Sequence, residues 1–527
     1  MSTESTGGSE RPDPAVGGRW AVADARFDAL PVHAAMLHTG EVLAFGGSAN
    51  DERRHDDPHP AELWNPVADE VRVVDQTVGG DVFCAGHSFL ADGSLLVAGG
   101  THAYDGDFEI GGVTLPPFSG LDHAYAFDPE TERWEHRGYT RHGRWYPTLV
   151  TFGDGRVLTA AGLTKHVPWV ALRELELYDP ESGWRRLRGA GRWLPLYPRL
   201  FLLPNGDVFY AGSYNTHYTF PFSLRGFPTA ILDVENRRWI DLGLPNQSQR
   251  EEGAAVLLPF RPGDDYRTRV LLVGGGTPGG DVAVAAAEVM DLGAITPKWR
   301  SVPSMAHARY HAYAVLLPDG TVLVVGGHGG QSGHSDGDGD DGDSGFDDSD
   351  REEGAVPPSP NAVREAELFD PETESWTTLA PMGVDRLYHS NALLLPDARV
   401  VAMGSNPARR VDELRIETFE PPYLFAGERP VVASVAESVA WGDELAVETP
   451  DADTVDRVVL IRQSSTTHCL NTDQRLVELA FDSRAGEELL ASVPDEPNLL
   501  PPGYYMLFLL RDGVPSEAPF VRVERTE

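Results

Sequence analysis

The feature that most constrains the fold is an internal repeat. Two apolar runs joined by a tight turn end at one recurring small-residue position, which occurs at Gly46, Gly99, Ala161, Ala211, Gly275, Gly326 and Met403. The repeat is roughly 50 to 64 residues long, a period in the range of propeller blades. Seven occurrences therefore predict a seven-bladed β-propeller.

Each repeat has two halves that together predict four strands. The first half is an apolar hairpin, as at 88–100 and 314–327, where Asp-Gly joins two apolar runs. Asp-Gly between such runs is a strong hairpin signal. The second half is a strand ending in an aromatic residue, an Asp-Pro turn and a tryptophan, as at Trp134, Trp184 and Trp376. Two hairpins per repeat match the four-stranded blade of a propeller.

The two ends of the repeat region predict how the ring closes. The last repeat ends at 418–425 without a tryptophan after its turn, whereas Trp20 has no half-repeat before it. Residues 18–24 are therefore predicted to form the outer strand of blade seven. Such closure removes an exposed sheet edge.

Beyond Pro430 the repeat disappears, and about 100 residues of short alternating strands follow, which is typical of an Ig-like sandwich. We therefore predict an all-β chain with a disordered segment at 1–18, a seven-bladed propeller at 19–427 and an Ig-like β-sandwich at 428–527. A polar connector at 463–474 separates two sandwich strands and carries His468. Functional side chains often lie on loops of this kind.

An acidic insert at about 329–360 interrupts blade six. Its centre, 333–353, is rich in Gly, Asp and Ser, which predicts a disordered loop. A calcium site is an open alternative because Asp336, Asp338 and Asp340 alternate, but Asp341 stands where an EF-hand loop requires glycine.

The charge of the chain excludes one class of partner. Asp and Glu number 81 against 43 Lys and Arg, giving a net charge of −38, with only two lysines. A nucleic-acid partner is therefore excluded. The excess of carboxylates predicts adaptation to high salt, which screens their repulsion, although an acidic surface for solubility is the plainer alternative.

The sequence shows no sign of a membrane or export segment. No run of 18 apolar residues occurs, and residues 1–18 lack the basic and apolar regions of a signal peptide. As written, the chain is expected to be a soluble, cytoplasmic monomer without a membrane partner. Its two cysteines, Cys84 and Cys469, exclude a disulfide framework.

Candidate chemistry lies at the starts of the predicted inner strands, which converge on the propeller channel. The candidates are Tyr146, Tyr197, Tyr310 with His311, and Tyr388 with His389. Imidazole nitrogen and phenolate oxygen suit copper or iron, but the same groups also serve in packing and hydrogen bonding. Spacing alone leaves both interpretations open.

Four segments resemble the copper-site segments of galactose oxidase and glyoxal oxidase, the copper radical oxidases. They are VFCAGHSF at 82–89, RWYPTLVTFGDGRV at 144–157, RLYHSNALLLPDARV at 386–400 and IRQSSTTHCLNTDQR at 461–475. Their order and the two-domain layout also match, and the resemblance extends from about Trp20 to Val523. It implies a kelch-type propeller with a C-terminal galactose oxidase-like sandwich.

The resemblance also implies a set of copper ligands. Tyr146 corresponds to the equatorial tyrosine that is joined to a cysteine, here Cys84, through a thioether and that holds a stable radical. Tyr388 corresponds to the axial tyrosine that acts as base. His389 and His468 correspond to the two imidazole ligands. The implied cofactors are one copper ion and the Cys84–Tyr146 thioether.

The implied reaction is oxidation of a small aldehyde or primary alcohol by O2, giving the acid or aldehyde and hydrogen peroxide. Copper accepts one electron, so the tyrosyl radical accepts the second. Thr164 stands where galactose oxidase has a tryptophan stacked on the linked tyrosine, which argues against galactose as substrate. Arg199 is a candidate forked donor to a substrate oxygen, with a rim salt bridge as the alternative.

Two other functional classes remain open. One is a non-catalytic kelch propeller that binds carbohydrate or protein, because fold alone does not fix function. The other is a copper protein without the radical, which loss of the thioether would leave. The resembled family is usually secreted, which differs from the location expected for the chain as written.

Overall fold

The structure is a computed structural model, and it describes residues 13–104, 108–110, 113–115, 118–165, 171–215, 227–247, 250–276, 282–330, 358–406, 410–484 and 487–525. It is an all-β protein with a seven-bladed propeller followed by a β-sandwich, which confirms the predicted fold class. The described helical turns are Pro14–Gly17, Glu52–Arg54, Pro262–Asp264 and Pro422–Phe425. None of the described helices is long and apolar enough to cross a membrane.

Each blade is an antiparallel sheet whose strands run in order from the channel to the rim. Blade one contains β2 (His33–Met36), β3 (Val42–Phe45), β4 (Ala61–Asn65) and β5 (Glu70–Val73), and blade two contains β6 (Gly86–Phe89), β7 (Leu95–Ala98), β12 (His123–Asp128) and β13 (Arg133–Tyr139). Blade three contains β14 (Thr148–Thr151), β15 (Val157–Ala160), β16 (Glu176–Asp179) and β17 (Gly183–Arg186). Blade four contains β18 (Leu196–Leu202), β19 (Val208–Asn215), β20 (Thr229–Asp233) and β21 (Arg238–Gly243). Short strands inserted in blade two are β8 (Thr101–Tyr104), β9 (Phe108–Ile110), β10 (Val113–Leu115) and β11 (Phe118–Gly120).

The remaining blades follow the same plan. Blade five contains β22 (Ala254–Leu257), β23 (Arg269–Val273), β24 (Ala287–Asp291) and β25 (Trp299–Val302). Blade six contains β26 (Tyr313–Leu316), β27 (Val322–Val325), β28 (Glu365–Asp370) and β29 (Ser375–Pro381). Blade seven contains β30 (Ser390–Leu394), β31 (Val400–Gly404), β32 (Arg415–Glu420) and β1 (Arg19–Arg26). All side chains of the innermost strands β6, β14 and β30 are buried, whereas those of the outer strand β5 are largely exposed. The continuous apolar runs of the sequence are therefore the inner, doubly covered strands.

The N-terminal strand closes the ring as predicted. β1 pairs antiparallel with β32, with Arg19 opposite Glu420 and Trp20 opposite Phe419. The indole nitrogen of Trp20 donates to the carbonyl of Ala380 in blade six at 2.9 Å. The repeat tryptophans Trp184, Trp239 and Trp376 make the same kind of bond to a backbone carbonyl beside the preceding blade. The tryptophan of each such repeat therefore ties neighbouring blades together.

Buried arginines fix the segments that lead into the inner strands. Arg144 donates to Glu176 at 2.8 Å and Arg309 to Glu367 at 2.6 Å, with each pair inside one blade. Arg386 donates instead to backbone carbonyls of β31 and β32. Breaking a buried ion pair by removing one partner typically costs 3–5 kcal/mol. Because these arginines stand two residues before Tyr146, His311 and Tyr388, they hold the channel-facing segments in place.

The sandwich follows blade seven and shares a core with the propeller. Its strands are β33 (Ser434–Val435), β34 (Ser438–Ala440), β35 (Glu444–Glu448), β36 (Arg457–Arg462), β38 (Leu476–Arg484), β39 (Glu488–Ser492), β40 (Gly503–Arg511), β41 (Val514–Pro515) and β42 (Phe520–Glu524). Phe260 of blade five packs in one cluster with Leu460 and Val477 of the sandwich. Its amide also donates to the carbonyl of Leu476 at 3.0 Å.

The connector at 463–474 leaves the sandwich and enters the propeller channel. Its strand β37 (Ser465–Thr466) pairs with β2 of blade one. Gln474 donates to the carbonyl of Ala314 in blade six at 2.9 Å, and Thr472 donates to that of Leu149 in blade three at 3.0 Å. The connector is therefore fixed to three separate blades.

Two predicted features lie largely outside the described residues. Of the N-terminal segment at 1–18, residues 1–12 are outside, and the remainder includes the helix Pro14–Gly17. Of the insert at about 329–360, residues 331–357 are outside, and the alternating aspartates are among them. The disorder and calcium predictions for these segments therefore remain predictions.

Candidate metal centre

Six blades each place one non-glycine residue with a left-handed backbone at the start of the inner strand. These residues are Cys84 (φ 63), Tyr146 (φ 64), Tyr197 (φ 46), Glu252 (φ 55), His311 (φ 55) and His389 (φ 59). We call this set the channel ring. The left-handed region is unfavourable for such side chains, and residues held in it cluster at functional sites.

Backbone hydrogen bonds between neighbouring blades hold the channel ring. The amide of Tyr146 donates to the carbonyl of Cys84 at 3.0 Å, and the amide of Tyr197 donates to the carbonyl of Tyr146 at 3.0 Å. The amide of His311 donates to the carbonyl of Glu252 at 2.8 Å. Equivalent side chains from successive blades are thereby presented to one channel.

One side of the ring gathers the five residues predicted as the copper centre. The Sγ of Cys84 and one ring nitrogen each of His389 and His468 all lie within 4.8 Å of one another. The phenol oxygens of Tyr146 and Tyr388 are 2.7 Å apart. Cys84 and both histidines are buried, whereas Tyr388 is only partly buried. Tyr388 is therefore the most exposed of the tyrosines and histidines in the cluster.

The connector fixes the orientation of His468. The hydroxyl of Thr467 lies 3.1 Å from the carbonyl of Val32 and 2.6 Å from Nδ1 of His468. When the hydroxyl donates to the carbonyl, Nδ1 donates its proton to the hydroxyl oxygen and the lone pair is on Nε2. Nε2 lies 3.9 Å from the Sγ of Cys84 and is directed into the cluster. Metal-binding histidines typically donate the proton of their other ring nitrogen to a neighbouring oxygen in this way.

His389 has the properties of a metal ligand. Both of its ring nitrogens are buried, and the side chain of Asn406 lies beside the ring as its hydrogen-bonding neighbour. Burial lowers the pKa of His389 to about 3. Burial, and then the neighbouring His389, lowers the pKa of His468 well below its usual value. Both imidazoles are therefore neutral near pH 7, as metal binding requires.

The spacing of the two imidazoles suits a single ion. Their ring centroids are 4.8 Å apart, with an angle of 83° between the ring planes. One ring nitrogen of each imidazole lies within 4.8 Å of the other, so both would hold the same ion. Copper(II) accepts nitrogen and oxygen ligands, which these imidazoles and the phenols of Tyr146 and Tyr388 offer.

An aromatic stack covers Tyr146, and the sequence analysis did not predict that Trp145 provides it. The ring of Trp145 lies 3.9 Å from that of Tyr146 at 9°, and Phe118 continues the stack 4.4 Å from Trp145, also at 9°. Thr164, the position expected to matter for stacking, is buried and accepts a backbone bond from Gly120 at 3.2 Å. Side chains adjacent in a strand normally point to opposite faces, whereas the left-handed turn at Tyr146 lets Trp145 share its face.

Arg199 lies inside the protein rather than at the rim. It is buried and donates to the carbonyl of Gly253, the residue that follows Glu252 of the channel ring. This bond ties the candidate substrate residue to the segment that carries Glu252.

The opposite side of the channel ring carries different chemistry. The carboxylate of Glu252 lies 3.3 Å from Nε2 of His311, and both side chains are buried. The ring of His311 is 5.2 Å from that of Tyr388. Tyr310, the preceding residue, is fully buried, and its ring stacks on His328 instead. The sequence analysis did not predict a functional position at Glu252. The signal that could have identified it is its equivalence to Cys84 and Tyr146 in the repeat.

Comparison with known proteins gives matches along nearly the whole chain. Residues 237–423 match the family described as "Glyoxal oxidase N-terminus", and residues 429–523 match "Galactose oxidase-like, Early set domain". The chain is 30% identical over 484 residues to aldehyde oxidase GLOX of Vitis pseudoreticulata, covering 84% of this chain and 82% of the relative. It is 26% identical over 560 residues to galactose oxidase of Gibberella zeae, covering 97% and 71%.

A solved structure shows the same fold. It is described as a novel fungal alcohol oxidase of the AA5 family in complex with copper, and it matches with a TM-score of 0.74 and 23% identity, covering 96% of this chain and 99% of its own. A propeller with a sandwich-borne loop in its channel, and relatives that are aldehyde and galactose oxidases, define a class of β-propeller oxidases. Within that class, the chain belongs to the copper radical oxidase family.

Proposed function

We propose that the protein is a copper-dependent oxidase that converts a small aldehyde, as its hydrate, or a primary alcohol into the acid or aldehyde, with reduction of O2 to hydrogen peroxide. The observation that carries the proposal is the convergence of Cys84, Tyr146, Tyr388, His389 and His468 in one largely buried cluster. The two neutral imidazoles and the two phenols suit a copper ion.

Four side chains would hold the metal: His389 and His468 through nitrogen, and Tyr146 and Tyr388 through their phenol oxygens. When bound, copper would supply a one-electron acceptor and a Lewis acid for the substrate oxygen. All four ligands come from one chain, so the proposed centre needs no second subunit. In this proposal the propeller, 19–427, supplies three ligands and the sandwich, 428–527, supplies His468.

The two tyrosines of the cluster have different proposed roles in substrate oxidation. Tyr388 is half-buried, so its phenol oxygen can reach a substrate hydroxyl and take its proton as general base. Tyr146 lies deeper, 2.7 Å from Tyr388 between the phenol oxygens. Once linked to Cys84 and oxidised by one electron, with O2 as the oxidant, its phenoxyl radical would take a hydrogen atom from the substrate carbon. Of the two electrons that leave the substrate, the phenoxyl would accept one with that hydrogen atom, copper would accept the other, and O2 would then take up both as hydrogen peroxide.

The aromatic stack supports this role of Tyr146. Trp145 covers one face of the phenol with a parallel ring, Phe118 stacks on the other side of Trp145, and all three side chains are buried. A shielded, polarisable environment stabilises an oxidised phenol. Trp145 would therefore serve in place of the stacking tryptophan that is missing at Thr164. The aldehyde oxidase relative and the departure from galactose oxidase at Thr164 both favour small substrates.

Peptide mass mapping of the copper-loaded, aerated protein tests the proposal. We expect the peptides that contain Cys84 and Tyr146 to be joined, with a loss of two hydrogens from their summed mass. The Cys84→Ser variant is the matched control and must give separate peptides. Separate peptides from copper-loaded wild type would leave a copper protein without the radical, and failure to bind copper at all would favour a non-catalytic binding propeller.

A further inference from the structure

The aromatic stack on Tyr146 continues outward to a partly exposed ring. Phe118 lies 4.4 Å from Trp145 and 5.1 Å from Tyr104 between ring centroids. Tyr146, Trp145 and Phe118 are buried, whereas Tyr104 is partly exposed. We call these four residues the aromatic row. Because aromatic rings at such separations are in contact, the row joins the proposed radical tyrosine to solvent.

The short strands inserted in blade two supply the outer half of the aromatic row. β8 pairs antiparallel with β11, and Phe118 stands directly opposite Tyr104 in this pairing. Side chains directly opposite each other in an antiparallel pair lie on the same face and interact. The hydroxyl of Tyr104 is also 2.6 Å from that of Ser48, in the loop that follows β3. The fold therefore holds both outer rings in place.

The members of the row differ in how easily they lose an electron. Tyrosine and tryptophan are among the side chains most readily oxidised by one electron, whereas phenylalanine resists oxidation at the same potentials. Electron tunnelling weakens steeply with distance, so it is fast between rings in contact. An electron can therefore cross the single ring of Phe118 between Trp145 and Tyr104. By contrast, Tyr197, which stacks on Tyr146 at 4.4 Å, is itself buried.

We infer that the aromatic row is an electron-transfer route by which a one-electron oxidant outside the protein oxidises Tyr146. This inference rests on the proposed function and adds a second way to form its radical, besides O2. One electron leaves the phenol of Tyr146, passes along the row through Trp145 and reduces the oxidant at Tyr104. The phenol proton moves to the oxygen of deprotonated Tyr388, which is 2.7 Å away. The row thereby restores the radical without occupying the channel.

Stopped-flow oxidation of the copper-loaded protein tests the route. Protein with the Cys84–Tyr146 link but without the radical is mixed, in the absence of O2, with hexachloroiridate(IV). About 1 M salt shortens the screening length to about 3 Å and so removes most of the repulsion by the net charge of −38. The appearance of the phenoxyl absorption gives the second-order rate constant. The variants are Tyr104→Phe and Trp145→Phe, and the matched control is Tyr125→Phe, a blade-two tyrosine that packs in a different cluster.

We expect Tyr104→Phe to lower that rate constant at least about tenfold, a barrier higher by about 1.4 kcal/mol, because the electron then crosses two rings that resist oxidation. Trp145→Phe should also be slower, and Tyr125→Phe should match the wild type. Reduction of the preformed radical by a small aldehyde without O2 should be equally fast in Tyr104→Phe and wild type, because that step does not use the row. Copper content and thermal unfolding verify that each variant is folded.

Two results would overturn the inference. One is an equal rate of oxidation in wild type and Tyr104→Phe, which would mean that the oxidant reaches Tyr146 by another route. The other is an equal loss in Tyr125→Phe, or a loss in Tyr104→Phe that also slows reduction by the aldehyde, because either would show a structural effect. Failure of the proposed function appears separately, as absence of the Cys84–Tyr146 link in peptide mass mapping of the wild type.

Discussion

Blades six and seven carry the same Tyr-His pair at the same place, yet the two pairs have different surroundings. His311 and His389 both stand in the channel ring with nearly equal φ values of 55 and 59. His389 faces the imidazole of His468, whereas His311 faces the carboxylate of Glu252. A repeat motif thus determines where a side chain is placed, and the residues contributed by other blades and by the connector determine its chemistry.

The largest expected effect separates the two histidines through copper binding. His389→Ala and His468→Ala should each lower copper affinity by more than about 100-fold and abolish oxidase activity, because each removes a proposed ligand. His311→Ala should keep its copper. Copper content after dialysis gives the answer, and thermal unfolding verifies that the propeller remains folded. Loss of copper in His311→Ala together with its retention in His468→Ala would show that the ligand assignment is wrong.

A second, smaller effect separates the two tyrosines. Tyr388→Phe removes the proposed base and should lower kcat by about 10²- to 10⁴-fold. Tyr310→Phe should retain activity, because that ring packs on His328 away from the cluster. Steady-state kinetics of peroxide formation measure both variants. Equal losses in the two would mean that the Tyr-His pairs are interchangeable.

The smallest effect is on the stability of the copper-free protein in acid. Burial lowers the pKa of His389 from 6.5 to about 3, so below about pH 6.5 the unfolded chain takes up a proton that the folded protein does not. The free energy of unfolding should therefore fall as the pH is lowered from about 6.5 towards 3. His389→Gln should remove about 1 kcal/mol of this loss per pH unit. Denaturant unfolding at about pH 5 and about pH 7 measures it, and an unchanged pH dependence in the variant would contradict the buried neutral state of His389.

The fold was predictable because its signals are local and repeated. Asp-Gly turns, Asp-Pro turns and rim tryptophans recur along the propeller sequence, and the unmatched Trp20 indicated how the ring closes. The predicted ligands also meet in space. Trp145 and Glu252 were not predictable, because their roles depend on left-handed backbones and on contacts between blades that no single repeat encodes. Adaptation to high salt remains a prediction, which activity in dilute buffer would contradict.

The placement of His468 on a connector from the sandwich determines when the cluster is completed during synthesis. The first described strand, β1, closes blade seven, and the connector that follows β36 completes the cluster near the other end of the chain. During synthesis the cluster therefore stays incomplete until more than 460 residues have been made, because His468 is translated after every blade. A nascent or truncated chain that ends before His468 lacks one of the two proposed imidazole ligands, so the proposed centre is completed only after all seven blades have been made.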